Sequence, residues 1–202
     1  MSSTRSMVLI SLLTALATVL MLFEIPNPLV PFLKFDLSDA IVLVALATFG
    51  LKVGFGVSVL RLVLFGLIQG NLDGSAFPYV GLMGAFFATT ALMGGYLVAT
   101  HVWHLNRWVT SLVMISSLTV VMTVLNYFFI TPLYFGWPNV SFAEIQVAFA
   151  GFLNFDTGGA FQSNSYLLAN LFAYVPFNAF KGVFISVLFF VLQPRVSQLI
   201  ER

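Results

Sequence analysis

The stretch NLFAYVPFNAFKGVFISVLFFVLQ, residues 170–193, decides the fold class of this chain. It is long enough to cross the hydrocarbon core of a bilayer, which takes about 20 mostly apolar residues. Its only charged side chain is Lys181. Burying an ionisable side chain in a membrane span costs about 2.5–3.5 kcal/mol on insertion scales, so such residues usually serve a function. The stretch predicts a membrane helix that carries part of a binding site.

The composition of the whole chain also favours a membrane protein. Of its 202 residues, 60% are hydrophobic and 7% are charged, whereas soluble domains carry about 25% charged residues. The net charge of +1 gives no indication of a nucleic-acid partner, and the lack of cysteine excludes disulfides and thiolate metal sites. The N-terminal apolar run is read as a retained first helix, because no small-residue cleavage site follows it.

Five further segments are apolar enough to form spans beside 170–193. They cover residues 6–24, 38–50, 53–70, 78–100 and 108–130. We therefore expect an all-α integral membrane protein that forms a single six-helix domain over residues 1–202. Pro194 is predicted to end the sixth helix. The long connection 131–169 contains a stretch, 141–155, that is predicted to be a short interfacial helix or partly extended.

The distribution of Lys and Arg predicts the orientation. With six spans, both termini lie on one side. The basic residues on that side are Arg5, Lys52, Arg107, Arg195 and Arg202. The other side has Lys34 as its only Lys or Arg, and its acidic residues are Glu24, Asp36, Asp73, Glu144 and Asp156. Because cytoplasmic loops carry an excess of positive charge, both termini are predicted to be cytoplasmic.

Lys181 shares one helical face with Asn178, three residues earlier, and Pro176 lies just above them. Together they predict a polar notch that opens toward the outer side. The alternative is that Lys181 pairs with an acidic side chain of a neighbouring helix to support assembly. Arg61, in the middle of the third span, must also be paired, and Asp39 or a backbone carbonyl is the expected partner in a structural role.

Two other clusters lie at the outer side. In LNYFFITPLYFGW, residues 125–137, Asn126 is a buried amide that needs partners, and Thr131-Pro132 is predicted to end the fifth helix. Three aromatic residues of the same stretch fit an interfacial aromatic belt: Tyr127, Tyr134 and Trp137. In PFLKFDLSDA, residues 31–40, one of the polar residues Asp36, Ser38 and Asp39 is expected to cap the second helix. Lys34 and Asp36 flank Phe35 in a loop that can fold over a site as a lid.

Several kinds of chemistry lack their motifs. No Walker sequence is present, so the chain is not expected to hydrolyse ATP, and neither HExxH nor GxSxG supports a hydrolase. His101 and His104 have a spacing that can bind metal, but no third ligand lies near them in sequence. They are interpreted as solvated loop residues, and no metal site is predicted.

Three stretches together carry a resemblance to a known family: FLKFDLSDAIVL (32–43), LNYFFITPLY (125–134) and YVPFNAFKG (174–182). In order and spacing they resemble the riboflavin-specific S component, the substrate-binding membrane subunit, of energy-coupling factor (ECF) vitamin transporters. The resemblance implies six helices, cytoplasmic termini and a multi-pass protein of a bacterial cell membrane. It also implies that the vitamin is captured outside and delivered inward together with a transmembrane T subunit and two ATPase subunits.

The resemblance implies roles for particular residues. Asn126, Asn178 and Lys181 match the polar ligand contacts of the family. The full set of expected substrate contacts is Asn126, Asn178, Lys181, Lys34, Phe35, Asp36, Tyr174, Thr131 and Tyr134. The family docks its T subunit through small residues of the first helix, and the nearest equivalents here are Ser11, Ala15 and Ala17. Riboflavin would be bound as transported substrate, with no cofactor.

A flavin suits these side chains. Aromatic rings stack on the isoalloxazine system, while amides and an ammonium bind its polar edge and the ribityl hydroxyls. On this hypothesis Lys181 meets a vitamin rather than a counter-ion. Alternatives stay open: an S component for FMN, folate, pantothenate or thiamine, a ligand-free membrane scaffold, or a proton-coupled carrier that depends on Glu24, Asp36 or Asp39.

Overall fold

The computed structural model describes residues 3–27, 30, 33–70, 75–153 and 163–201. Phe32 of the first-loop motif lies outside the described residues. So do Asp73, Asp156 and Arg202, which entered the charge count, and the side chain of Arg5. Residues 154–162 of the long connection lie outside them as well.

The described residues are almost entirely helical. The elements in chain order are α1 (Ser3–Leu22), β1 (Ile25–Pro26), β2 (Lys34–Phe35), α2 (Ser38–Phe49), α3 (Leu51–Gln69), α4 (Val80–Leu97), α5 (Arg107–Leu125), α6 (Thr131–Tyr134), α7 (Phe142–Phe152) and α8 (Ser163–Glu201). Two π-helical turns extend this framework: Val98–Val102 continues α4, and Asn126–Ile130 joins α5 to α6. The all-α prediction is confirmed.

Four helical stretches in the described part of the chain are long and apolar enough to cross a membrane. They are Leu51–Gln69, Val80–Val102, Arg107–Tyr134 and Ser165–Gln198. The apolar stretches of α1, α2 and α7 are shorter, and they cover Met7–Leu22, Ser38–Phe49 and Phe142–Phe152. The chain is thus a multi-pass membrane protein built around four long spans.

The ends predicted for the fifth and sixth helices are wrong. Helix α8 continues to Glu201 and contains both Pro176 and Pro194. The fifth helix continues past Pro132 to Tyr134. A proline removes one backbone donor from a helix, and long membrane helices tolerate this loss where local π adjustments and packing satisfy the freed groups. Just before Pro132 the turn is π-helical, with Thr131 N–H bonded to the carbonyl of Asn126 five residues back.

Helix α2 is the centre of the bundle. Every residue from Ser38 to Leu46 is buried, and the helix packs against α1, α3 and α8. A helix that is apolar all round is enclosed by its neighbours. The approach of α3 is very close, because a Cβ added at Gly54 would lie 2.7 Å from the Cα of Leu46.

The other helices complete the bundle around α2. Helix α5 packs between α4 and α8, and Gly95 of α4 lies so close to α5 that an added Cβ would be 3.0 Å from the Cα of Met114. The main core draws on α1, α2, α3, α4, α5 and α8. A second, aromatic core forms where α7 packs on the first turns of α8.

The stretch 141–155 of the long connection forms the short helix α7 in its described part. A capping box begins it: the hydroxyl of Ser141 accepts the N–H of Glu144, and the Glu144 carboxylate accepts the N–H of Ser141 at 3.0 Å. Hydrogen bonds from the side chain and backbone of Ser141 lower the pKa of the exposed Glu144. Buried Phe149 then anchors the helix by stacking on Tyr174, with ring centroids 6.0 Å apart.

Candidate functional site

A cavity lies at the end of the bundle that carries β1 and β2, which we call the hairpin end. The space between its walls amounts to about 1080 Å³, including the part open to the outside. Its described lining residues are Met21, Glu24, Leu33, Lys34, Asp36, Phe65, Gln69, Gly70, Tyr79, Val80, Gly81, Leu82, Gly84, Ala85, Ala88, Met122, Asn126, Ile130, Tyr134, Phe177, Asn178 and Lys181. The walls are thus largely apolar, with a few polar and charged groups.

The first loop contributes one face of a strand to the cavity. Strands β1 and β2 pair antiparallel, with Ile25 opposite Phe35. Successive side chains of a strand point to opposite faces, and Lys34 and Asp36 accordingly line the cavity. Phe35 points the other way and packs on Phe180 and Phe184, with ring centroids 5.9 and 5.8 Å away. Phe35 therefore does not line the cavity, which corrects its expected place beside Lys34 and Asp36.

Lys34 is paired at the cavity wall. Its Nζ lies 2.6 Å from Oε2 of Glu24, just after the end of α1. This ion pair links the residue before β1 to β2, and both side chains line the cavity. From the sequence, Glu24 was identified as an outer charge and as a residue of the proton-coupled alternative, but not as part of the cavity wall. Its position directly after the first apolar segment, opposite a basic loop residue, is the signal that could have identified it.

Lys181 lines the cavity and faces two carboxylates. Its Nζ lies 3.2 Å from Oδ2 of Asp36 and 3.1 Å from Oδ2 of Asp39, and all three side chains are buried. The hypothesis that Lys181 meets a vitamin rather than a counter-ion is wrong as stated, because the counter-ions are present. The physical reason is the cost of burying an ammonium, which requires a paired and hydrogen-bonded partner.

Arg61 completes this buried network from α3. Its Nη2 lies 2.5 Å from Oδ1 of Asp39, which confirms the predicted pairing, and also 2.5 Å from the hydroxyl of Thr89. Its Nη1 donates to the hydroxyl of Ser38, which in turn donates to Asp36. Four charges, two positive and two negative, are thus linked through α2, α3, α4, α8 and the first loop. We call this set, Asp36, Asp39, Arg61 and Lys181, the buried charge network.

The expected cap of α2 is provided by Asp36. The N-cap residue Leu37 makes no side-chain capping bond, and Oδ1 of Asp36 accepts the backbone N–H of Ser38 at 2.9 Å. Ser38 and Asp39, the other two candidates, are instead buried in the charge network. A pattern of capping residues before an apolar run does not distinguish a cap from a buried ion pair.

Asn126 and Asn178 reach the cavity from two helices and are held in the same way. Nδ2 of Asn126 donates to the carbonyl of Met122 at 2.7 Å, and Nδ2 of Asn178 donates to the carbonyl of Tyr174 at 2.9 Å. Because the helix backbone holds each amide nitrogen, the oxygen of each amide is the atom that can accept from a ligand. Asn126 begins the π-helical turn of the fifth helix, a feature that is frequent at functional sites.

Of the three remaining expected contacts, one lines the cavity and two do not. Tyr134 lines the cavity. Thr131 and Tyr174 do not: they are fully buried behind the wall, where Oγ1 of Thr131 and the hydroxyl of Tyr174 lie 2.5 Å apart. This bond links the end of the fifth helix to α8, so the pair supports the wall that holds Asn126 and Asn178.

Of the three expected docking residues of α1, two are exposed and one is buried. Ser11 and Ala15 are exposed on the surface of the bundle. Ala17 is wholly buried in the core and cannot dock a partner. Successive turns of a helix bring residues four apart to one face, whereas a residue two positions away lies on nearly the opposite face.

Sequence reasoning missed the wall built by α3 and α4. Phe65, Gln69 and Gly70 line it at the end of α3, and Tyr79 lines it before α4. Gly70 and Tyr79 have positive φ angles of 63° and 62°, which explains the glycine but marks Tyr79 as unusual. The sequence offers little signal for this wall, because its residues are ordinary for a helix end near a membrane surface.

The family model for the ECF transporter, substrate-specific component, matches residues 5–193. The chain belongs to this family. As a transporter component it is not an enzyme, and its place is in a membrane.

Its relatives share the full length of the chain. The riboflavin transporter RibU of Streptococcus thermophilus is 31% identical over 208 residues, covering 100% of this chain and 87% of the relative. The riboflavin transporter FmnP of Bacillus subtilis is 28% identical and covers 98% of this chain and 95% of the relative. A solved structure described as the S component of a bacterial ECF transporter covers both chains completely, with a TM-score of 0.71 and 24% identity. It supports the fold.

Proposed function

We propose that this S component binds riboflavin in the hairpin-end cavity and presents it for transport into the cell. The observation that carries the proposal is the make-up of the cavity. Apolar and aromatic side chains such as Phe65 and Phe177 suit a flat ring system, and the amides of Asn126 and Asn178 converge on the same space as Lys181. That combination of an apolar wall with a few placed polar groups is typical of a small-molecule site.

The polar groups suit the two halves of riboflavin. The amide oxygens of Asn126 and Asn178 can accept from the ring N–H or from ribityl hydroxyls, and the ammonium of Lys181 can donate to a ring carbonyl. Lys34 and Asp36, from the first loop, line the cavity and are proposed as further contacts. The names of the relatives point to the same vitamin.

The proposed topology has six spans with both termini in the cytoplasm. The support is the alternation of helix ends at the cavity. The C-terminal ends of α1, α3 and the fifth helix, the loop that leads into α2, and the N-terminal portions of α4 and α8 line it. Six alternating helices return the chain to the side where it began. Lys52, Arg107 and Arg195 lie at the helix ends away from the cavity, which places that end in the cytoplasm under the positive-inside rule.

The proposed partners are a transmembrane T subunit and two ATPase subunits, as the family membership implies. Ser11 and Ala15 present small side chains on the exposed face of α1. Small residues allow another membrane helix to approach closely, so this face is the proposed contact with the T subunit.

The direct test is riboflavin binding by the purified protein. Protein prepared in detergent from a flavin-containing host should carry riboflavin, which denaturation releases at about one per chain. After that flavin is removed, the protein should quench the fluorescence of added riboflavin in a saturable way. A colourless preparation that fails to quench riboflavin would refute the choice of vitamin, and calorimetric titration with folate, pantothenate and thiamine would then identify the alternative.

A further inference from the structure

The charges around the cavity cancel one another among the described residues. The cavity wall has two basic and two acidic side chains, and a second layer adds one of each. The wall residues are Glu24, Lys34, Asp36 and Lys181, and the second layer consists of Asp39 and Arg61. Each of the three basic groups already lies within 3.2 Å of a carboxylate. A ligand that enters the cavity therefore meets no cation that lacks a counter-ion in the described structure.

This charge balance affects uncharged and anionic ligands differently. An uncharged ligand can bind beside the pairs and leave them intact. A phosphorylated ligand must remain without a cation, draw Lys34 away from Glu24, or draw Lys181 away from Asp36 and Asp39. The last course leaves two buried carboxylates with Arg61 alone, and an uncompensated buried charge is strongly unfavourable.

We propose that Asp39 and Arg61, neither of which lines the cavity, are specificity-determining residues that set the preference of the site for an uncharged ligand over its phosphate ester. The inference rests on the proposed function, and the ligand pair is riboflavin and FMN. Both residues act through Lys181. Asp39 places Oδ2 3.1 Å from the ammonium, while Arg61 holds its other oxygen at 2.5 Å.

The two residues shift the balance in opposite directions. Asp39→Asn removes one negative charge, so that Lys181 keeps only Asp36 and the network becomes +1. Arg61→Gln removes one positive charge, so that Lys181 alone must neutralise two carboxylates and the network becomes −1. For two unit charges roughly 10 Å apart and an effective dielectric constant near 20, either change should alter the binding of a singly charged anion by about tenfold, and that of a phosphate ester, with about −1.5 to −2 charges, by more.

The experiment measures the ratio of the dissociation constants of FMN and riboflavin by quenching of flavin fluorescence. Compared with wild type, Asp39→Asn should lower this ratio by at least about tenfold, and Arg61→Gln should raise it by a similar factor. The double variant Asp39→Asn/Arg61→Gln has the wild-type charge, so its ratio should return to the wild-type value within about threefold. Glu144→Gln, an exposed change on α7, is the control and should leave the ratio unchanged.

A purely structural role would give a different result. Both dissociation constants would then rise together in each variant, and an unchanged ratio in Asp39→Asn would overturn the proposal. Should that variant not fold, Asp36→Asn adds the same charge to the same network and is judged on the same ratio. Failure of the wild-type protein to bind riboflavin would refute the proposed function instead, so the two failures can be told apart.

Discussion

Replacing Lys181 by methionine tests whether one ammonium serves both the fold and the ligand. Methionine has a similar reach and no charge. Lys181→Met leaves Asp36 and Asp39 buried with Arg61 as the only remaining cation of the buried charge network. We expect two separate effects, a loss of stability from the unbalanced network and a loss of riboflavin affinity from the missing donor.

The structure gives a scale for each effect. Removing one partner of a buried ion pair typically costs about 3–5 kcal/mol of stability, and the side chain of Lys181 is only 6% exposed. A hydrogen bond that involves a charged group contributes about 1.5–3 kcal/mol. At about 1.4 kcal/mol per factor of ten, the lost donor should weaken riboflavin binding by roughly 10- to 150-fold.

A second variant separates the two effects. Lys181→Met/Asp36→Asn is neutral again and keeps the direct pair of Asp39 with Arg61, so most of the lost stability should return. Riboflavin binding should stay weak, because the donor is still absent. Thermal unfolding in detergent reports the stability, and flavin fluorescence reports the affinity. Asp36→Asn alone gives the cost of the second change.

The reasoning would be refuted if the double variant bound riboflavin as tightly as the wild type. Lys181 would then belong to the buried charge network alone. Unchanged thermal stability of Lys181→Met would refute the other half of the reasoning. The two carboxylates would then not need the ammonium, and the buried charge network would not stabilise the fold.

Two further predictions concern helix packing and assembly. Gly54→Ala should cost about 1–3 kcal/mol of stability, because the added Cβ would meet the backbone of Leu46 at 2.7 Å. Gly56→Ala, where the added Cβ has open space, should be neutral or slightly stabilising. Equal melting temperatures for the two variants would contradict this prediction. Ala15→Leu on the exposed face of α1 should weaken co-purification with the T subunit and leave riboflavin binding intact. Val191→Leu, a change at an exposed residue of α8, is the control and should alter neither property. Unchanged co-purification of the Ala15→Leu variant would show that this face is not the contact.

Composition and hydropathy are enough to predict much of this fold. A 7% share of charged residues cannot cover a soluble surface, so the membrane class follows directly. The apolar segments at 53–70, 78–100 and 108–130 match long helices closely. Helix ends were harder to predict, since Pro132 and Pro194 are both tolerated within helices. Proline removes one donor, and the surrounding structure decides whether the helix continues.

The main polar residues of the site were predictable from the sequence, but their arrangement and the wall built by α3 and α4 were not. Asn126, Asn178 and Lys181 were identified because polar groups in apolar helices need partners, and all three line one cavity. Which partner each one has depends on packing between helices. The contact of Lys181 with Asp36 joins residues 145 positions apart in the chain, and no local pattern indicates such a contact.

The pairing of Lys181 with carboxylates does not compete with a role in binding. An ammonium has three N–H donors, and Lys181, whose Nζ lies within 3.2 Å of both carboxylates, also lines the cavity. The carboxylates offset the cost of burying the charge, and one donor remains for a ligand carbonyl or hydroxyl. Without them, an empty cavity would leave the ammonium uncompensated at each release of the vitamin. A site that must both fill and empty is therefore better served by a lysine with counter-ions than by one that depends on its ligand.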